Sequence, residues 1–125
     1  MVSKTHITLF GIPNCDTVKK ARTWLDLHSI SFVFHNFKKD GLTQDVVEGW
    51  LRNIELSALI NRKGTSWRAL NDQQKLQADH KEGAIALVLE NPSLIKRPVL
   101  QIDDSQIQIS LGFSDSQYQN IFKEV

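Results

Sequence analysis

Apolar and polar positions alternate through Thr5-His6-Ile7-Thr8-Leu9-Phe10, the pattern of a strand. The period then changes. Val18, Ala21, Trp24, Leu25 and His28 fall near helical spacing, which predicts an amphipathic helix that ends at His28-Ser29. Gly11, Pro13 and Asn14 punctuate the join between the two. Residues 30–37 read as a second strand, and a strand–helix–strand crossover of this length implies a right-handed parallel pair.

Lys38-Lys39-Asp40-Gly41 reads as a turn, and Thr43 as the N-cap of a helix carrying Val46, Val47, Trp50, Leu51 and Ile54. A short apolar piece at 56–61 leads into the basic turn Arg62-Lys63-Gly64-Thr65-Ser66-Trp67-Arg68 and a short helix. Residues 71–82 are polar, as surface helix or loop. Ala84-Ile85-Ala86-Leu87-Val88-Leu89 reads as a helix ending near Asn91-Pro92, with a buried strand as the alternative. Val99-Leu100-Gln101-Ile102 and Ile107-Gln108-Ile109-Ser110 flank a turn at Asp103-Asp104-Ser105, which predicts a β-hairpin. Ser114-Asp115-Ser116-Gln117 has the spacing of a capping box opening a last helix, with Tyr118, Ile121 and Phe122 on its apolar side. The order is β-α-β, a helical insertion at about 43–92, then β-β-α. That is an α/β layout of thioredoxin/glutaredoxin type, with a mixed four-stranded sheet in one domain over 1–125.

Composition narrows the function. A net charge of +1 gives no reason to expect nucleic-acid or anionic-membrane binding. No segment approaches transmembrane length and the N-terminus shows no signal-peptide core, so the expected location is cytoplasmic. One cysteine excludes an internal disulfide and a Cys-x-x-Cys pair, and it fits a reducing compartment.

That cysteine, Cys15, sits where a strand turns into a helix. Unpaired backbone N–H groups and the positive end of the helix dipole favour an anion there, which raises the thiolate fraction. Lys19 and Lys20 add positive charge and Asp16 opposes it. A lone cysteine is more commonly a small buried hydrophobe, but the strand–Gly-x-Pro-x-Cys–helix context favours a nucleophile. In a sheet of this type the reactive group lies beyond the carboxyl end of the first strand. Arg97-Pro98 precedes the third strand. A cis proline there would face the cysteine and deliver Arg97, whose planar fork suits an oxyanion or a carboxylate. A solvated arginine before an edge-strand proline is the plainer alternative. The turn around Gly64, with Arg62 and Lys63, is either an anion-binding lip or a solvated basic turn. His6, His28, His35 and His80 lack metal-ligand spacing, and neither a metal nor a nucleotide cofactor is expected. Trp24, Trp50 and Trp67 read as core or half-buried residues.

Three stretches and three dipeptides carry a resemblance over nearly the whole chain, in order. They are Gly11-Ile12-Pro13-Asn14-Cys15-Asp16-Thr17-Val18-Lys19-Lys20-Ala21-Arg22, Gly41-Leu42, Leu59-Ile60-Asn61-Arg62-Lys63-Gly64-Thr65-Ser66-Trp67-Arg68, Asn91-Pro92, Ile95-Lys96-Arg97-Pro98 and Gly112-Phe113. The chain resembles the arsenate reductase/Spx family of thioredoxin-like proteins, most closely its YffB-like branch. In arsenate reductases of that family the cysteine matching Cys15 attacks arsenate, glutathione resolves the adduct and glutaredoxin regenerates the enzyme. Arginines matching Arg62 and Arg97 bind the oxyanion. The third arginine of such enzymes has no counterpart, since no arginine follows Arg97 and the region reads Ser110-Leu111-Gly112-Phe113. Spx regulators, which bind RNA polymerase, often carry a Cys-x-x-Cys switch whose second position is Val18 here.

The expectation is a glutathione-dependent thiol reductase acting on a small oxidised or oxyanion substrate through Cys15. Glutathione is the co-substrate, with glutaredoxin as a candidate partner. Asn14, Arg62, Lys63, Arg97 and Pro98 are the expected substrate or glutathione contacts. A non-catalytic Spx-like binding module and a true arsenate reductase are the alternatives.

Overall fold

The computed structural model describes residues 5–123. Met1 to Lys4, part of the stretch read as lacking a signal-peptide core, lie outside the described residues. In chain order the elements are β1 (His6–Gly11), α1 (Asp16–Leu27), β2 (Val33–Asn36), α2 (Phe37–Asp40), α3 (Gln44–Leu51), α4 (Leu56–Leu59) and α5 (Thr65–Arg68). There follow α6 (Asp72–Gln77), α7 (Lys81–Glu90), a 3-10 turn (Pro92–Leu94), β3 (Val99–Asp103), β4 (Ile107–Leu111) and α8 (Asp115–Phe122). They form two compact units, residues 5–36 with 97–123, and residues 37–96.

The first unit holds the expected mixed four-stranded sheet, in the order β2-β1-β3-β4. β1 pairs parallel with β2 and antiparallel with β3, and β3 pairs antiparallel with β4. Leu9 and Leu100 oppose one another on β1 and β3 and pack with Ala21, Trp24 and Leu25 of α1 and Tyr118 and Phe122 of α8. Val18, Ala21, Trp24 and Leu25 of the predicted period are thus the buried face of α1, whereas His28, its last member, is exposed and stacks on the Trp24 ring at 3.7 Å. The helix ends in a full Schellman motif. Ile30 N–H donates to the Leu25 carbonyl at 3.0 Å and Ser29 N–H to that of Asp26 at 3.1 Å, with Ser29 left-handed at φ 57°.

That cap corrects the second strand. Residue 30 is spent terminating α1, and pairing begins only at Val33. At the other end Phe37 leaves the strand to open α2, burying its ring 6.3 Å from that of Trp50. The expected turn at 38–41 is thus the end of a one-turn helix, closed by Gly41 at φ 80°.

In the second unit Thr43 caps α3 by accepting from Val46 N–H at 3.4 Å. α3 stops at Leu51 rather than Ile54, because Asn53 N–H donates back to the Trp50 carbonyl and tightens the last turn. The apolar run at 84–89 is helical, with Ala84, Ile85, Leu87 and Val88 buried. Burial on several sides of the helix removes the periodicity that would have told it from a strand. Asn71 and Gln74 form a reciprocal capping box. The box expected at Ser114 is half made. Ser114 Oγ accepts from Gln117 N–H, but the Gln117 amide turns to Ser110 Oγ at 2.6 Å and the Leu111 carbonyl at 3.1 Å. Among the described residues no helix is long and apolar enough to cross a membrane.

Tyr118 lies at the centre of an aromatic cluster, edge-on to Phe113 at 4.7 Å and to Trp24 at 5.4 Å. Its buried hydroxyl has no hydrogen-bond partner among the described residues. Burial pushes its phenol above the usual tyrosine range. An unpaired buried hydroxyl costs about 1–3 kcal/mol, so Tyr118→Phe should raise stability by about 1 kcal/mol or more in denaturant unfolding. The sign at high pH follows from the same burial. The unfolded chain ionises near pH 10 while the folded chain keeps its proton, so stability falls as pH rises above about 10. Tyr118→Phe should lose that part of the alkaline decline; a less stable variant with an unchanged alkaline limb would contradict the assignment.

Candidate functional site

Cys15 is a free, half-buried thiol at the N-cap of α1, with extended backbone at φ −114° and ψ 125°. Its carbonyl accepts the first helical bond, from Lys19 N–H at 2.9 Å. The N–H groups of Asp16, Thr17 and Val18 therefore lack a carbonyl one turn back and cluster at the thiol's end of the helix. Serine, threonine or aspartate commonly holds such a position and bonds to those amides. Cys15 makes no side-chain cap bond. The dipole at this end of the helix favours an anion.

The first turn of α1 is set against the end of β1 by one close approach. A Cβ at Gly11 would lie 2.8 Å from Val18 Cγ2 and 3.2 Å from Cγ1, and Val18 is fully buried. Glycine is needed here for space, since its φ is not in the left-handed region.

The neighbouring strand brings the second part of the site. Phe10 opposes Val99, so the antiparallel register carries Pro98 to the level of Gly11. The Arg97–Pro98 bond is cis. Pro98 is buried, and its carbonyl accepts from Gly112 N–H at 2.9 Å, with Gly112 at φ 74°. Asn14, Cys15, Arg97 and Pro98 thus sit at one end of the sheet, where β1 finishes and β3 begins. Asn14 is exposed and Arg97 half-buried.

Arg62 and Lys63 belong to the second unit, in a turn organised by Asn61. Asn61 Oδ1 accepts from Lys63 N–H at 3.2 Å, and the Asn61 amide N–H donates to the Leu94 carbonyl at 2.8 Å. The Arg62 guanidinium lies 4.7 Å from the Trp67 ring centre and 3.5 Å from Asp79 Oδ1. Lys75 approaches the same ring at 6.0 Å. Both partners of the ion pair are exposed, so it contributes little stability, but it partly neutralises the basic turn. Trp67 and Asp79 were not legible as partners of Arg62, because the contacts join separate stretches that carry no shared spacing. Among the described residues no group of three or more His, Cys, Asp or Glu is placed to hold a metal ion.

The Gly11–Val18 contact generates a prediction. Gly11→Ala should slow alkylation of Cys15 by iodoacetamide several-fold at fixed pH and cost about 1–3 kcal/mol of stability by overpacking. Adding Val18→Ala should restore the alkylation rate. Unchanged alkylation in Gly11→Ala would show that the contact does not place the thiol.

The ArsC family profile matches residues 10–121. The solved structure of a protein named YFFB superposes with a TM-score of 0.80, at 40% identity, over 91% of this chain and 96% of that one. The solution structure of an arsenate reductase (ArsC) related protein from Brucella melitensis gives a TM-score of 0.71 at 37% identity, over 94% of this chain and 95% of that one. The global transcriptional regulator Spx of Streptococcus pyogenes is 32% identical over 114 residues, covering 89% of this chain and 81% of Spx.

Proposed function

This chain belongs to the ArsC family, and on that footing we propose that it is a glutathione-dependent thiol reductase working through Cys15. The observation that carries the reading is the free, half-buried thiol at the N-cap of α1, at the sheet end shared with the cis Arg97–Pro98 bond. The Cys15 thiolate attacks one sulfur of a substrate disulfide. A mixed disulfide forms, and the other sulfur leaves with the electron pair and takes a proton. The chain holds no second cysteine to resolve this adduct. A glutathione thiolate therefore attacks the mixed disulfide, and a second glutathione completes release, so two glutathione thiols are oxidised to one disulfide per substrate reduced. Asn14 and the first amides of α1 support the thiolate, and Arg97 orients an anionic part of substrate or glutathione.

Arsenate is a poorer candidate. Without an arginine after Arg97, its dianion loses a charge-assisted contact worth about 1.5–3 kcal/mol relative to a site with three. The likeness to Spx favours a second reading, a protein-binding module that needs no thiol chemistry. The Cys-x-x-Cys switch has no counterpart, since Val18 fills the second position and packs on Gly11.

In an assay coupling glutathione oxidation to NADPH consumption, Cys15→Ser should abolish reduction of a small disulfide, a loss of at least about a hundredfold, while its thermal melting stays near wild type. Arsenate should drive little NADPH consumption in the same assay. Turnover close to wild type in Cys15→Ser would end the thiol mechanism, and partner capture from lysate that ignores the substitution would favour the binding module.

A further inference from the structure

We propose that the exposed groove along α1 docks an acidic, cysteine-bearing polypeptide segment, whose disulfide is the one Cys15 attacks; this rests on the reading of Cys15 as nucleophile. The groove has a volume of about 360 Å³ and runs past Lys19, Lys20, Thr23 and Leu27, with Phe113 and Asp115 opposite. Cys15, Lys19, Thr23 and Leu27 follow at four-residue steps, so they form one oblique ridge of the helix that starts at the thiol.

Charge and length select the occupant. Among the described residues neither Lys19 nor Lys20 takes part in an ion pair, and both are exposed. The one carboxylate lining the groove is already engaged. Asp115 Oδ1 accepts from Trp24 Nε1 at 2.7 Å and Oδ2 from Gln119 Nε2 at 2.8 Å. Two lysines against that one carboxylate leave the lining with net positive charge, and the groove has an apolar end at Leu27, which is 76% exposed. Leu27 lies twelve positions beyond Cys15, about 18 Å along the helix. An extended tripeptide spans about 10 Å, and glutathione bonds to Cys15 through its central residue, so neither of its arms reaches Leu27. Only a longer segment, carrying carboxylates near its cysteine and an apolar side chain beyond them, uses the whole groove.

The chemistry is plain exchange. Cys15 forms a disulfide with the segment's cysteine, and the sulfur previously bound to that cysteine leaves as a thiolate and takes a proton. The test uses synthetic peptides with a cysteine at one end and a leucine at the other, joined by glutamates, glutamines or lysines. Each is activated as a 2-pyridyl disulfide, so reaction releases a chromophore. In free solution carboxylates near a disulfide repel an attacking thiolate, so the glutamate peptide reacts most slowly with a simple thiol. The protein should invert that order, with the glutamate peptide about tenfold faster than the lysine peptide at low salt and the gap closing as salt rises. Leu27→Glu should shrink the preference while leaving reaction with a small neutral pyridyl disulfide unchanged. Equal peptide rates, or the free-solution order, alongside a fast small disulfide would overturn the groove and leave the thiol mechanism standing. No reaction with the small disulfide would overturn both.

Discussion

The missing side chain at Gly11 lets Val18 bring the first turn of α1 down onto the end of β1, leaving no room for a Cβ at position 11. The rest of the site depends on that approach. It fixes the start of the helix relative to the strand, and Cys15 is the residue that joins the two. The β1–β3 register then decides what lies alongside, because pairing of Phe10 with Val99 brings Pro98 level with Gly11. One steric allowance and one strand register together gather a thiol, the amides of a helix start and a half-buried arginine at the same sheet end. The opposite end of α1 is held just as firmly, by the Schellman motif at Ser29 and the Trp24–Asp115 hydrogen bond to α8.

Much of this was legible because local signals agreed with the packing. Val18, Ala21, Trp24 and Leu25 are buried on α1 as their spacing required. The hairpin formed where alternation resumed after Pro98. What was not legible came from backbone hydrogen bonds that leave no apolar trace. Ile30 caps α1 instead of extending β2, and Asn53 closes α3 a turn early. Gln117 looked like the return half of a capping box, but its amide reaches the end of β4 instead. The true reciprocal box, Asn71 with Gln74, lay in a stretch so polar that it showed no period.

The chemistry divided the same way. A cysteine between a strand and a helix, preceded by Gly-x-Pro-x, announces itself in the sequence. The place of Pro98 followed from the strand order. The surroundings of Arg62 did not, since Trp67 and Asp79 reach it only through the fold. Neither did the hydrogen bonds that Asp115 accepts from Trp24 and Gln119, which engage the one carboxylate among the groove's lining residues. Charge read along a chain shows which groups exist, and only their partners show which remain available to a ligand.

The mechanism requires Cys15 to form a covalent adduct that glutathione releases, and intact-protein mass spectrometry reads this directly. The protein is exposed briefly to bis(2-hydroxyethyl) disulfide, then to excess reduced glutathione, both folded and in denaturant. A single adduct, mapped to Cys15, should form faster on the folded protein than on the unfolded chain and disappear with glutathione. An adduct that forms more slowly on the folded protein, or one that glutathione leaves in place, would contradict the mechanism.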